Sequence, residues 1–265
     1  MTATGDRRSR WLDFLNRHEA CFNEELHLLS TGRKTVECIP PDGPETGSGW
    51  FIVWADTGAG EWNLAHPFGH RSEYFRHLER LPKDVEFNLL VPVTDAPDIA
   101  EWLHLEVAEN LTWFRDVGHD AASLVAFPPS PPAGLEIIHR SERGEGMPGD
   151  AGPIVYESIY ARECGSVIGL VKCIHVTGNT TEVYIETAPG WRNRGIGTIL
   201  LKEMLRTLRR AGRTMIYVVG GGNTPSLRLA AKAGLTPFQT LSRFRFTRHV
   251  HKEIRPADFS PRIID

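Results

Sequence analysis

The stretch Thr187-Ala188-Pro189-Gly190-Trp191-Arg192-Asn193-Arg194-Gly195-Ile196-Gly197-Thr198 joins a strand-like run, Thr181–Thr187, to an amphipathic pattern at Ile196–Ala211. Gly195 and Gly197 have no Cβ, so the backbone can turn tightly there and come close to a ligand. The first amides of a helix have no partner inside it, and the helix dipole adds partial positive charge at that end. Arg192 and Arg194 add full charge. Together the groups from Arg192 to Thr198 suit a diphosphate. A Walker A loop would need Gly-Lys-Ser/Thr, and no lysine follows Gly197. A dinucleotide fingerprint would need a third glycine at 200, which is Leu.

Around this bend lies an α/β pattern. Upstream, Ile154–Tyr160 and Val167–Val176 read as strands. Downstream, Gly212 ends the helix, Thr214–Val219 is a strand, Pro225–Ala233 a short helix capped by Gly234, and Leu241–Thr247 a last strand. The order predicts a mixed, mostly antiparallel α/β sheet flanked by helices. The N-terminal half carries helical patterns at Trp11–Leu29, Ser72–Leu81 and Ala96–Leu111, and strand patterns at Thr35–Ile39, Trp50–Ala55 and Val85–Val93. Residues 128–134 hold four prolines, which neither a helix interior nor a central strand accepts. The predicted division is a divergent α/β domain at 1–127, a connector at 128–134, a second domain at 135–250 and a tail at 251–265. Ser141–Pro153 has loop composition.

With 265 residues, 41% hydrophobic and 24% charged, the chain can bury a real core. A net charge of −3 argues against general nucleic-acid binding. No apolar run approaches the roughly 18 residues of a membrane span, and the polar, basic start of the chain is not a secretory signal. The four cysteines form no Cys-x-x-Cys pair, so reduced thiols and a cytoplasmic location are expected, and no structural metal. His66 and His70 flank Pro67 and Gly69, which disfavour the helix that a His pair four apart would need to hold a metal. The tryptophans at 50, 54, 62, 102 and 113 read as core, with lining of an acceptor pocket as the other use. Gly220-Gly221-Gly222 reads as a permissive turn.

Arg192-x-x-Gly195-x-Gly197 after Thr187-Ala188-Pro189 resembles motif A of the GNAT superfamily of acyl-CoA-dependent N-acyltransferases. Asn223-Thr224-Pro225-Ser226-Leu227-Arg228-Leu229-Ala230-Ala231-Lys232-Ala233-Gly234-Leu235 resembles its later motif, one helix and one strand further on. The likeness covers about Leu135 to Phe246, and within the superfamily it is nearest to small-molecule or resistance-type acetyltransferases. A degenerate GNAT-like fold is one reading of the N-terminal half. The resemblance implies acetyl-CoA as co-substrate. It places the diphosphate on the amides of Arg192, Asn193, Arg194, Gly195, Ile196, Gly197 and Thr198. The pantetheine arm would pair with backbone near Ile185 and Thr187, with Asn223 and Ser226 close to it. Two departures stand out. Ala230 occupies a position where a tyrosine often protonates the leaving thiolate, and the chain between the first two strands of the domain is too short for the usual two helices.

A primary amine attacking a thioester must be neutral, and a carboxylate can take its proton. Period two puts Glu182, Tyr184 and Glu186 on one strand face. Glu182 is the first choice as base, Glu186 the second, and Tyr184 lines the pocket or donates a proton. The plain alternatives are exposed strand residues and ion pairs for the carboxylates, a solvated face for the two arginines, and a helix cap for Asn223. The expected function is acetyl transfer to the amine of a small molecule. Two other readings stay open: a non-catalytic acyl-CoA-binding module and acetylation of protein amines. A homo-oligomer is compatible with the sequence; neither nucleic acid nor membrane is an expected partner.

Overall fold

The computed structural model describes residues 14–18, 20–22, 26–27, 35–39, 49–54, 63–68, 85–118, 132–144 and 154–247, the first two strands by their backbone. Eleven strands among them form one sheet. The N-terminal half contributes β1 (Thr35–Ile39), β2 (Gly49–Trp54), β3 (Leu64–Phe68), β4 (Glu86–Pro92) and β5 (Glu109–Arg115), with helix α1 (Ala96–Leu103) before β5. The C-terminal half contributes β6 (Leu135–Arg143), β7 (Val155–Glu163), β8 (Ser166–Val176), β9 (Thr180–Thr187), α2 (Ile196–Arg210), β10 (Thr214–Gly220), α3 (Thr224–Lys232) and β11 (Thr236–Thr247).

The spatial order is β1-β2-β3-β4-β11-β5-β10-β9-β8-β7-β6. Only β3/β4 and β9/β10 are parallel; all other neighbours are antiparallel. From β1 to β7 the pattern of pairings reads the same in both directions. With β6 set aside, each half runs through three antiparallel strands, a crossover, a parallel strand, a helix and a final strand. The two final strands are exchanged: β5 lies between β10 and β11, and β11 lies between β4 and β5. A parallel pair needs a crossover, usually helical. In the C-terminal half α2 fills that role, whereas the predicted helix at Ser72–Leu81 lies outside the described residues.

α2 buries Ile196, Leu200, Leu201, Met204, Leu205 and Leu208 against β7 to β10. Each such side chain contributes about 1.5–3 kcal/mol on burial. Phe114 from β5 joins that core, and Phe244 and Phe246 from β11 join the core under α1. A second link between the halves is the two-pronged ion pair of Arg209, on the last turn of α2, with Asp116 after β5. No helix among the described residues is long and apolar enough to cross a membrane.

Several elements differ from expectation, β3 among them, a strand that the sequence reading does not include. The helix predicted over Ala96–Leu111 stops at Leu103, because His104 adopts a left-handed conformation (φ 52°) that closes it. The rest of the pattern belongs to β5, where Thr112, Trp113 and Phe114 suit a strand paired on both edges. The loop expected from Ser141 begins later, since β6 runs to Arg143 and Ser141 Oγ bonds Glu157 Oε2 at 2.6 Å. The last strand begins at Thr236, not Leu241, with a register shift between Pro237 and Gln239. In place of two helices between β6 and β7, residues 26–27 pack on this part of the sheet: His27 Nδ1 lies 2.9 Å from the Val176 carbonyl oxygen, and its ring meets Tyr156 edge-on.

Candidate active site

β9 and β10 pair over only Thr180–Glu182 and Thr214–Ile216. β9 continues to Thr187 and β10 to Gly220 without further pairing between them. The strands therefore diverge, and the β10-facing edge of Val183–Thr187 is left without a strand. The opposite edge stays paired to β8 from Val176↔Thr181 to Gly169↔Thr187.

The divergence opens beside the glycine bend. After Thr187 the chain makes a short 3-10 turn, Pro189–Trp191, with the Trp191 N–H on the Ala188 carbonyl at 2.8 Å. Arg192 then runs extended, Asn193 is left-handed (φ 62°), and Gly195 is left-handed (φ 84°) as the N-cap of α2. A side chain at Gly195 would have space but a strained backbone, which is why glycine stands there. Gly197 is different: a Cβ would meet Leu229 Cδ2 at 3.4 Å and Thr187 Oγ1 at 3.5 Å, ordinary contact. Among the described residues no backbone carbonyl pairs with the amides of Asn193 to Thr198. The Arg192 amide, by contrast, closes the 3-10 turn on the Pro189 carbonyl. The set of unpartnered donors is thus one residue shorter than the sequence suggests. Arg192 Nε donates to the Thr187 carbonyl at 3.2 Å, and the Arg194 guanidinium stacks over Trp191 at 4.8 Å. Both arginine side chains are exposed and tethered at the rim.

α3 begins on the other side of the opening. Asn223 caps it, its Oδ1 accepting from the Ser226 N–H at 3.2 Å, an interaction worth about 1 kcal/mol. Ala230 is fully buried. Tyr217, the first β10 residue beyond the last β9 partner, is buried in the core under α2 and α3. Burial pushes its phenol up, more than the nearby Ser226 draws it down, so it remains protonated through the neutral range. Sequence reasoning missed this residue; only the tertiary fold brings it to the helix. Of the glycines at 220–222, Gly221 lies against β5: its N–H bonds the Asn110 carbonyl at 2.6 Å, and a Cβ there would sit 3.2 Å from the same backbone oxygen. A Cβ on Gly220 would meet only the movable end of the Glu109 side chain, and Gly222 faces open space.

β9 displays two faces. Val183 is buried and Ile185 partly buried in the α2 core, while Glu182, Tyr184 and Glu186 share the opposite face as expected. Tyr184 is exposed; its hydroxyl donates to Glu186 Oε2 at 3.3 Å, and Lys172 Nζ lies 5.7 Å from its ring. Desolvation first, and the Glu186 charge second, push the Tyr184 phenol up, so it is a donor at neutral pH. Glu182 sits where the parallel pairing ends, with Oε2 2.9 Å from His175 Nδ1. His66 lies in β3, buried and 5.1 Å from the Phe22 ring, while His70 lies outside the described residues. Trp113 and Trp102 are half-buried against two core clusters.

Residues 129–235 match the model of the acetyltransferase (GNAT) family. This part of the chain is a GNAT acetyltransferase domain, and the fold of the whole sheet is shared with solved structures. A Drosophila protein has the fold at 15% identity, over 89% of this chain and 87% of its own, with a TM-score of 0.59. A GCN5-related N-acetyltransferase from Kribbella flavida has it at 13% identity, over 85% and 94%, with a TM-score of 0.55. A GCN5-related N-acetyltransferase-like protein from Streptococcus suis has it at 12% identity, over 92% and 100%, with a TM-score of 0.54. These likenesses span both halves and carry the fold alone. No curated protein matches the chain in sequence.

Proposed function

We propose that the protein transfers an acetyl group from acetyl-CoA to a primary amine of a small molecule by direct attack. The observation that carries this reading is the divergence of β9 from β10 beside the unpartnered amides of Asn193–Thr198. The open strand edge offers backbone partners to the pantetheine amides in the manner of an added strand. The amides, the dipole of α2 and the two rim arginines offer a seat for the diphosphate. Donors and charge of this kind, at the start of a long helix, fit that group.

Glu182 takes a proton from the acceptor ammonium at the opening. The freed electron pair attacks the thioester carbonyl, the C–S bond breaks, and the thiolate leaves, while the nitrogen sheds a second proton as the amide forms. Tyr217, in an element different from that of Ala230, is the phenol that would protonate the thiolate, the second proton from the nitrogen then restoring it. Cys173 offers no acyl-enzyme route, since burial pushes its thiol up to about 11 and holds it protonated. The N-terminal half, by its matching order of elements, serves as a degenerate second copy that supplies β5 and a wall for the acceptor. It carries no Arg-x-x-Gly-x-Gly of its own after β3.

The test is calorimetric titration of acetyl-CoA, followed by thiol release across a panel of primary amines, with a Glu182→Gln/Glu186→Gln double variant as control. Binding with amine-dependent thiol release, lost in the double variant, supports the reading. Binding without release from any amine leaves the acyl-CoA-binding module, which Ala230 favours. Mass shifts on added protein would move the acceptor from small molecules to protein amines. Absence of binding overturns the proposal.

A further inference from the structure

The pairing of β8 with β9 shifts between Cys173 and His175. Before the shift β8 alternates regularly: Val171 and Cys173 are buried with the α2 core, and Lys172 faces Tyr184 on the other side. A regular strand would send residue 175 to the α2 side with 171 and 173. The shift adds one residue at Ile174 and reverses that parity. His175 instead stands opposite Glu182, on the face of Tyr184 and Glu186, with Nδ1 2.9 Å from Oε2. The two side chains are 21% and 12% exposed, so the pair is largely withdrawn from solvent screening. Bulges beside active sites commonly re-aim one side chain in this way.

Resting on the acetyl-transfer reading, we propose that His175 is a positioning residue for Glu182: its Nδ1–H holds one carboxylate oxygen so that the other meets the acceptor ammonium, and protonation of the imidazole withdraws the carboxylate into an ion pair. In the working state the proton passes from the ammonium nitrogen to Glu182, and the nitrogen keeps the electron pair that forms the C–N bond. His175 gains and loses nothing in that step. When the imidazole is charged, Glu182 is held in an ion pair with it and is drawn away from the acceptor. Imidazoles commonly titrate between about pH 5 and 8, where such a device would act. The groups facing the pair are the His27 ring, 5.4 Å from that of His175, Tyr156 beyond it on β7, and Lys172, Tyr184 and Glu186 along β8 and β9.

The experiment compares wild type with His175→Ala, His175→Asn and His27→Gln in acetyl transfer to benzylamine, putrescine and glycinamide between about pH 6 and 8. His175→Ala is expected to lower kcat about tenfold or more with the KM for acetyl-CoA within about twofold. His175→Asn, whose amide N–H replaces the imidazole donor but does not titrate, is expected to restore most of that kcat at the upper end. It should also lose an extra fall in kcat/KM, about fivefold, that wild type and His27→Gln show toward the lower end. NMR titration of the imidazole C2–H signals supplies a readout independent of turnover: Glu182→Gln should move the His175 midpoint to lower pH. A His175→Ala enzyme as active as wild type, a His175→Asn profile that coincides with wild type, or a midpoint indifferent to Glu182→Gln overturns the proposal. Coupled NMR titration with no thiol release from any amine overturns the acetyl-transfer reading, and this role with it.

Discussion

Gly197→Ala should move stability and cofactor affinity in opposite directions. Gly197 lies in the first turn of α2 without a left-handed backbone, and a methyl there meets Leu229 and Thr187 at 3.4 and 3.5 Å. The fold therefore has room for it. Alanine gains helix propensity and restricts the unfolded chain, together about 0.5–1 kcal/mol. For a chain of this size that raises the melting temperature by roughly 1–4 °C. The same methyl stands beside the unpartnered amides. If it displaces one charge-assisted hydrogen bond to the diphosphate, about 1.5–3 kcal/mol of binding is lost, which is roughly ten- to a hundredfold in Kd. Gly195→Ala is the internal contrast: it has space but a φ of 84°, so it should lower the cofactor-free melting temperature at a cost of about 1–2 kcal/mol. Melting curves with and without acetyl-CoA, paired with titration calorimetry, read both quantities, because a ligand stabilises only the state it binds. A Gly197→Ala protein that melts below wild type, or that binds acetyl-CoA as tightly, would refute the geometry from which these numbers come.

Two further outcomes follow from contacts elsewhere. Asp116→Ala strands the Arg209 cation between the halves; because Arg209 keeps some access to water, about 3 kcal/mol is expected, read as a melting point roughly 6–12 °C lower, and an unchanged melt would show the pair to be idle. Tyr217→Phe should cut kcat about ten- to a hundredfold with the KM for acetyl-CoA unmoved. Since burial raises that phenol, the wild-type acid persists to high pH and any alkaline fall should lie above the ordinary tyrosine range; equal kcat in the two proteins would remove Tyr217 from the chemistry.

The C-terminal half was readable because its signals are local. Glycines at 195 and 197, arginines beside them and apolar residues at helical spacing from Ile196 to Leu208 all speak through neighbours in the chain. The face shared by Glu182, Tyr184 and Glu186 followed from alternation alone. His175 did not, because a single inserted residue reverses parity and nothing in Cys-Ile-His-Val announces it. β3 was hidden by Pro67 within five residues. The overrun of the helix at Ala96 arose because its apolar spacing continues into β5, whose strand character comes from two partners more than a hundred residues away. Tyr217 likewise gains its place only from the core it joins under α2 and α3.

The trading of β5 and β11 also governs the order of assembly. During synthesis β4 and β5 emerge long before β11, which closes only after Thr247 has left the ribosome. Until then both carry bare edges of the kind that invite pairing with other chains. Neither half can finish ahead of the other, so the two mature as a single interlocked unit, and a truncation just short of β11 would strand the first half as surely as the second.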